Sequence, residues 1–199
     1  MLVTKKAPDF TAPAVLADGT IVDDFNLYKN FGEKGTVLFF YPLDFTFVCP
    51  TEIIAFSHRI DEFKKRGVNV IGVSVDSQYT HFAWRETPES EGGIGRIKYP
   101  LVADLTKKIS RDYDVLLEDA GVALRGSFLI DSDGTIRHCV INDLPLGRNI
   151  DEMLRMIDAM HFVNEHGEVC PAGWEPGQEA MKPSPDGVAE FLKKHAEEL

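Results

Sequence analysis

The chain of 199 residues is long enough to bury a core and suits one domain with an extension. Its formal net charge of −11 argues against a nucleic-acid partner, because an acidic surface is repelled by a phosphate backbone. Three cysteines, Cys49, Cys139 and Cys170, do not form a secreted disulfide framework, and they favour a reducing, cytoplasmic compartment. The sequence lacks both an apolar N-terminal segment and a run of about 18 apolar residues, so neither a signal peptide nor a membrane span is expected.

The first half of the sequence predicts alternating strands and helices after an irregular segment, to about residue 33, that contains a small hairpin. The continuous apolar run 36–41 is typical of a strand buried on both faces. Apolar residues at steps of three and four then predict an amphipathic helix over 50–65. A second buried strand is expected at 69–76, followed by a short helix at 81–86, a strand at 101–103 and a helix at 105–113. This alternation predicts right-handed βαβ units with a parallel sheet element.

The pattern changes in the second half. Residues 122–130 and 135–141 predict an antiparallel hairpin, and a long amphipathic helix follows from about residue 150. The segment 168–187 is rich in proline and glycine and predicts an extended arm, closed by a short helix at 188–194. The predicted architecture is α/β and thioredoxin-like, a mixed central sheet flanked by helices, with a domain over 1–165 and a C-terminal arm over 166–199.

Cys49 is the strongest candidate for a reactive residue, because it lies between a buried strand and the first turn of a helix. A helix N-terminus carries partial positive charge and favours a thiolate over a thiol. The alternative is a buried structural cysteine, the usual fate of a free thiol. Thr46, three residues earlier, favours the reactive interpretation because its hydroxyl can turn back towards the sulfur. Pro42 and Pro50 fix the backbone on either side.

The motif Pro42-x-x-x-Thr46-x-x-Cys49 resembles the active site of the peroxiredoxins. The longer run Phe-Tyr-Pro-Leu-Asp-Phe-Thr-Phe-Val-Cys-Pro-Thr-Glu is similar to the typical two-cysteine subgroup. Further stretches share this likeness, which covers nearly the whole chain: 72–76, 124–131, 142–148 and 168–174. The resemblance implies a thiol-specific peroxidase, with the peroxidase domain over 1–165 and the resolving cysteine on the arm.

The resemblance implies roles for individual residues. Cys49 matches the peroxidatic cysteine, which attacks the peroxide and becomes a sulfenic acid, and Pro42 matches the residue that shields this product. Thr46 would hydrogen-bond both thiolate and peroxide, and Arg125 matches the arginine beside the sulfur. Cys170 matches the resolving cysteine, which forms the Cys49–Cys170 disulfide between subunits.

Glu52 and Arg148 match the acid–base pair that holds Arg125 in place, whereas Cys139 matches no catalytic position and is interpreted as structural. The resemblance also implies hydroperoxide substrates, recycling by thioredoxin or a flavoprotein reductase, and homodimers that form a ring of five. It implies no cofactor or metal, and the histidines lack metal-ligand spacing. The segment Gly92-Gly93-Ile94-Gly95, with Phe191-Leu192 where sensitive members have Tyr-Phe, predicts intermediate susceptibility to over-oxidation.

Three other functions are known for chains with related features. A dithiol–disulfide oxidoreductase needs Cys-x-x-Cys, but the fourth position here is Glu52. A one-cysteine peroxidase is disfavoured by the Val-Cys-Pro setting of Cys170. A non-enzymatic holdase chaperone remains open as a second activity.

Overall fold

The computed structural model describes residues 1–197, so the last two residues of the predicted arm lie outside the described residues. The chain divides into two compact units, one ending at Ile150 and the other beginning at Asp151. The functional boundary at residue 165 stays a prediction. Within residues 1–197, none of the helices combines the length and apolar character that a membrane crossing requires.

The first unit contains a seven-stranded mixed sheet in the order β2-β1-β5-β4-β3-β8-β9. Its strands are β1 (Thr11–Val15), β2 (Ile21–Asn26), β3 (Gly35–Phe40), β4 (Val68–Ser74), β5 (Leu101–Ala103), β8 (Arg125–Asp131) and β9 (Ile136–Asn142). The strands β3, β4 and β5 run parallel, and the remaining pairings are antiparallel. A separate two-stranded ribbon pairs β6 (Leu116–Leu117) with β7 (Val122–Ala123). The prediction of a mixed thioredoxin-like α/β sheet is therefore confirmed.

Four helices accompany the sheet in this unit: α1 (Cys49–His58), α2 (Ile60–Lys65), α3 (Gln78–Glu86) and α4 (Lys108–Asp112). Helix α2 packs on β4, and α3 packs on β1 and β5. Single 3-10 turns occur at Tyr28–Asn30 and Glu89–Glu91.

Strand β3 positions the candidate site. All six of its residues are buried, as the unbroken apolar run predicts for a strand between two neighbours. It pairs with β4 on one side and with β8 on the other. The chain then leaves the sheet at Tyr41 and enters α1 at Cys49, so one short loop separates the sheet centre from the first residue of the helix.

Two of the predicted elements are each divided in the structure. The helix expected over 50–65 is two helices that meet at Arg59, whose backbone ψ of 3° departs from helical geometry, and the first begins one residue earlier, at Cys49. The strand expected over 122–130 is also two elements. Residues 122–123 pair with β6, the Leu124 N–H donates to the Val115 carbonyl, and β8 begins only at Arg125.

The second unit holds most of α5 (Ile150–His166) and all of α6 (Pro185–His195). Between them, Val169 and Met181 exchange two backbone hydrogen bonds and close a loop that contains Cys170. Within 168–187, a fully described segment, Trp174 is the only buried side chain. Helix α6 begins three residues earlier than predicted, because the Ser184 side chain caps it by accepting from the Gly187 N–H.

Candidate active site at Cys49

Cys49 is the first residue of α1 and is fully buried. Val48 precedes it as the N-cap and contributes no side-chain hydrogen bond, and Pro50 occupies the first turn. The N-terminus of α1 is therefore not capped by a side chain at the point where the sulfur lies. A helix end of this kind attracts negative charge.

Thr46 contacts the sulfur directly. Its Oγ1 lies 2.9 Å from Cys49 Sγ and 2.8 Å from the Leu43 carbonyl oxygen. A hydroxyl has one proton to donate and can rotate between these two acceptors. The structure thus confirms the contact that the three-residue spacing suggests.

Arg125 reaches the same sulfur from β8. Its Nη1 lies 3.4 Å from Cys49 Sγ and 2.6 Å from Glu52 Oε2, and its Nε donates to the Leu144 carbonyl over 2.6 Å. The Arg125 and Glu52 side chains are both buried. Two oxygen acceptors therefore fix the guanidinium group against the sulfur, and a fixed donor loses little entropy when a reacting group arrives.

Arg148 holds Glu52 from the opposite side. Its Nε and its backbone N–H donate to Glu52 Oε1 over 2.8 and 2.9 Å, and its Nη2 donates to Oε2 over 2.9 Å. Its Nη1 donates to the carbonyls of Phe40, at the end of β3, and Gly126, in β8. The guanidinium group also lies 5.1 Å from the centre of the Phe39 ring. Arg148 therefore joins two central strands to the helix that carries Cys49.

The cluster beside the sulfur brings together two cations and one anion. Burial opposes the charge of Glu52 more than any other single influence, but the hydrogen bonds and charge of Arg148 and the charge of Arg125 together outweigh it, so the pKa of Glu52 is lowered. Glu52 is thus an anion facing two buried cations. The cluster carries one net positive charge, which a thiolate would balance.

The remaining predicted residues are less closely tied to the sulfur. Pro42 is buried in the loop after β3. Cys170 lies in the second unit, where its Sγ is 3.8 Å from the Ala159 carbonyl. Burial raises the pKa of the Cys170 thiol, and the charge of Arg155 opposes that shift. Cys139, in β9, is partly buried against the core, and all three cysteines are free thiols.

Sequence reasoning missed several groups around the Cys49 loop. Tyr41, Asp44 and His81 form a buried hydrogen-bonded cluster beneath it. The carbonyls of Leu43 and Leu144 orient Thr46 and Arg125. Backbone carbonyls leave no trace in side-chain chemistry. His81 lies in a helix of mixed polar and apolar residues, where the sequence predicts an exposed histidine. Only the position of Asp44 inside the motif pointed to this cluster. Within residues 1–197, no group of three or more candidate side chains could hold a metal ion.

A free, buried thiol at a helix N-terminus, contacted by a hydroxyl and a guanidinium group on a thioredoxin-like sheet, defines a thiol-based redox enzyme. The model of the AhpC/TSA family matches residues 3–139, and the model of the C-terminal domain of 1-Cys peroxiredoxin matches residues 159–194. The chain belongs to the AhpC/TSA family of peroxidases.

Individual relatives match almost end to end. Alkyl hydroperoxide reductase C of Helicobacter pylori is 61% identical over the whole of both chains. Peroxiredoxin-2 of Macaca fascicularis is 54% identical, over 97% of this chain and 96% of its own. The reduced 2-Cys peroxiredoxin of Plasmodium vivax is similar in structure, with a TM-score of 0.93 at 50% identity over 97% of this chain and 99% of its own. The chain is accordingly a thiol peroxidase, as the motif resemblance implied.

Proposed function

We propose that the chain reduces hydrogen peroxide and organic hydroperoxides through Cys49. The Cys49 thiolate attacks the terminal oxygen of the peroxide, the O–O bond breaks, and the alkoxide or hydroxide that leaves is protonated to alcohol or water. Cys49 becomes a sulfenic acid, a two-electron oxidation. The observation that carries this proposal is the pair of donors, Thr46 Oγ1 at 2.9 Å and Arg125 Nη1 at 3.4 Å, on one buried sulfur.

Thiolate formation alone accounts for a small part of such a rate. A cysteine with the ordinary pKa of about 8.5 is about 3% thiolate at pH 7, so complete ionisation gains only about thirtyfold. The larger share comes from stabilising the charge that develops on both oxygens as their bond breaks. Thr46, Arg125 and the backbone N–H groups near Cys49 are the donors that we assign to this task.

Glu52 and Arg148 act as positioning residues in this proposal. Glu52 holds Arg125 through a 2.6 Å hydrogen bond, and Arg148 holds Glu52 through three more. We assign Pro42 the role of shielding the sulfenic acid from water, which its buried position in the loop supports.

The resolving step falls to Cys170 of a second subunit. Its sulfur attacks the sulfenic acid, a disulfide with Cys49 forms, and water leaves. A dithiol reductant, thioredoxin or the flavoprotein of an alkyl hydroperoxide reductase system, then supplies two electrons and restores both thiols. The partly exposed loop between Val169 and Met181 supports a cysteine that must leave its docked position to react.

We propose a homodimer that assembles further into a ring of five dimers, in the cytoplasm. Strand β9 supports the contact between the two subunits of the dimer, because it lies at the edge of the sheet with Val140 and Ile141 exposed. Exposed aromatic side chains on the Cys49 loop and α3 support the contact between dimers in the ring: Phe45, Phe47, Tyr79 and Phe82.

One experiment tests the two cysteine roles together. Each of the variants Cys49→Ser, Cys170→Ser and Cys139→Ser is treated with one equivalent of hydrogen peroxide and separated on a non-reducing gel. We expect wild type and Cys139→Ser to form a disulfide-linked dimer that thiol reverses. Cys49→Ser should consume no peroxide, and Cys170→Ser should consume one equivalent without forming the dimer.

The same variants separate the alternatives. Peroxide consumption by Cys49→Ser would overturn the proposed nucleophile. Thioredoxin-driven turnover by Cys170→Ser would indicate a one-cysteine peroxidase.

A further inference from the structure

The loop that carries Thr46 is anchored through Asp44, midway between Pro42 and Thr46. The Tyr41 hydroxyl donates to Asp44 Oδ1 over 2.8 Å, and His81 Nδ1 lies 2.7 Å from Oδ2. Both carboxylate oxygens of Asp44 are therefore engaged, one from the end of β3 and one from α3. The Asp44 and His81 side chains are completely buried.

The backbone of the same residue is held by Asp76, which lies two residues after the end of β4. The Asp44 N–H donates to Asp76 Oδ2 over 2.9 Å, and this oxygen also accepts from the hydroxyl of Ser74, the last residue of β4, over 2.6 Å. Asp44 is thus tied to residues that follow β3 and β4 and to one residue of α3. None of these contacts involves Cys49 itself.

The number of protons in this cluster follows from its acceptors. His81 Nε2 lies 3.1 Å from the Val102 carbonyl, which can only accept, so Nε2 carries a proton. The 2.7 Å contact between His81 Nδ1 and Asp44 then needs one further proton between the two groups. The pair therefore shares a single buried proton. Burial raises the pKa of Asp44, and the hydrogen bond and charge of His81 oppose that rise.

Phe45, which follows Asp44, is the strained residue of the loop. Phe45 has a φ of 53°, a left-handed conformation that a bulky side chain adopts only when its surroundings impose it. Its ring lies 5.6 Å from that of Trp84, in α3, and Asp44 holds the backbone immediately before it. Thr46 follows directly, so its position against Cys49 depends on this constrained turn.

We propose that Asp44 and His81 are positioning residues for peroxide reduction: their hydrogen-bonded pair fixes the turn at Phe45 and so places the Thr46 hydroxyl on the sulfur. This inference rests on the proposed function of Cys49 and extends it to a cluster that does not touch the reacting atoms. The other polar groups that face the pair are the Tyr41 hydroxyl, which donates to Asp44 Oδ1 and lies 3.4 Å from His81 Nδ1, the Val102 carbonyl at Nε2, and Asp76 at the Asp44 backbone N–H.

The chain offers a conservative variant that separates this role from folding. In Asp44→Asn, the side-chain amide can donate to His81 Nδ1 and accept from Tyr41. Both hydrogen bonds survive, but the side chain at position 44 can no longer ionise. Asp44→Ala removes both contacts. Two rates are measured for each variant: Cys49 oxidation by hydrogen peroxide in stopped flow, and Cys49 alkylation by iodoacetamide, which needs the sulfur but not the oxygen-stabilising donors.

We expect Asp44→Ala to slow peroxide oxidation by at least about thirtyfold while alkylation changes by less than about threefold, because misplaced donors cost rate only where oxygen charge develops. Asp44→Asn should recover the peroxide rate to within about threefold of wild type. A wild-type peroxide rate in Asp44→Ala, or a rate in Asp44→Asn as low as in Asp44→Ala, would overturn the proposal. A wild type that fails to reduce peroxide would instead refute the proposed function.

A matched pair of tyrosines keeps the test decisive if Asp44→Ala does not fold. Tyr41→Phe removes the hydroxyl that donates to Asp44, and Tyr113→Phe removes the hydroxyl of a second buried tyrosine, which donates to the Pro8 carbonyl over 2.9 Å. Both should lower the thermal midpoint similarly. Only Tyr41→Phe should slow peroxide oxidation, by about fivefold. Equal peroxide rates in the two variants would contradict the role of the cluster.

Discussion

The surroundings of the two cysteines proposed to react differ in how firmly they are built. Cys49 is fully buried at the start of a helix, and the groups around it are tied to two central strands, β3 and β8. Cys170 lies in a partly exposed loop closed by one pair of backbone hydrogen bonds, in a segment whose only buried side chain is Trp174. In the proposed cycle, the nucleophile and the donors that stabilise the transition state are rigidly placed, whereas the cysteine that must move lies on an easily opened segment.

The largest expected effect comes from removing the carboxylate on which the Cys49 site depends. Glu52→Gln leaves two buried guanidinium groups without their shared anion, and we expect the free energy of unfolding to fall by about 3–5 kcal/mol. Urea unfolding measures this loss. The matched control is Glu179→Gln, in the second unit, whose exposed carboxylate pairs with Lys194 and His195. It should leave the transition midpoint unchanged, and equal losses in the two variants would remove the distinction between the regions.

Thr46→Val should have the next largest effect. The substitution preserves shape but removes the hydroxyl that contacts the sulfur, and loss of one such donor costs about 10²-fold in rate. Stopped-flow oxidation of Cys49 by hydrogen peroxide measures it. Cys170→Ser, the corresponding change in the other region, should leave this first oxidation at the wild-type rate. A wild-type rate in Thr46→Val would show that the hydroxyl contributes nothing to the reaction.

Acid should weaken the Cys49 site through Glu52. Because the pKa of Glu52 is lowered in the folded state, its contribution is fully present above the unfolded pKa of about 4.3 and is lost as pH falls through the folded value. The stability difference between wild type and Glu52→Gln should therefore narrow as pH falls below about 4.3. Unfolding curves across this range measure the difference, and a constant gap would indicate that Glu52 is not ionised in the folded protein.

The smallest expected effect concerns the susceptibility of Cys49 to over-oxidation. Gly92-Gly93-Ile94-Gly95 is present with Ile94 buried, whereas at the Tyr-Phe position Phe191 is buried and Leu192 is exposed. We predict intermediate susceptibility, measured by mass spectrometry of Cys49 during turnover at rising peroxide. Absence of sulfinic acid at millimolar peroxide, or complete inactivation at micromolar peroxide, would contradict it.

The sequence predicted the elements that repeat a simple pattern and missed those that depend on distant partners. The run 36–41 predicted β3 because a strand buried on both faces is apolar throughout. The ribbon of β6 and β7 was missed because two-residue strands carry no periodicity.

The same limit applies to the site. Thr46 and Arg125 were predicted from the motif and its family resemblance, and the structure brings both to the sulfur. Asp44 and His81 are 37 residues apart, and only the fold brings them together. Neither residue type, nor its spacing, indicates a partner at that distance.

We propose that donors around the sulfur, more than thiolate formation, give Cys49 its rate with peroxide. The direct test compares peroxide oxidation with iodoacetamide alkylation in Arg125→Ala and Arg125→Lys, the second of which keeps the charge but loses the fixed fork of donors. We expect both variants to lose about 10²–10³-fold with hydrogen peroxide and less than about tenfold with iodoacetamide. Equal losses with the two reagents would contradict the account, because Arg125 would then act on the thiolate alone.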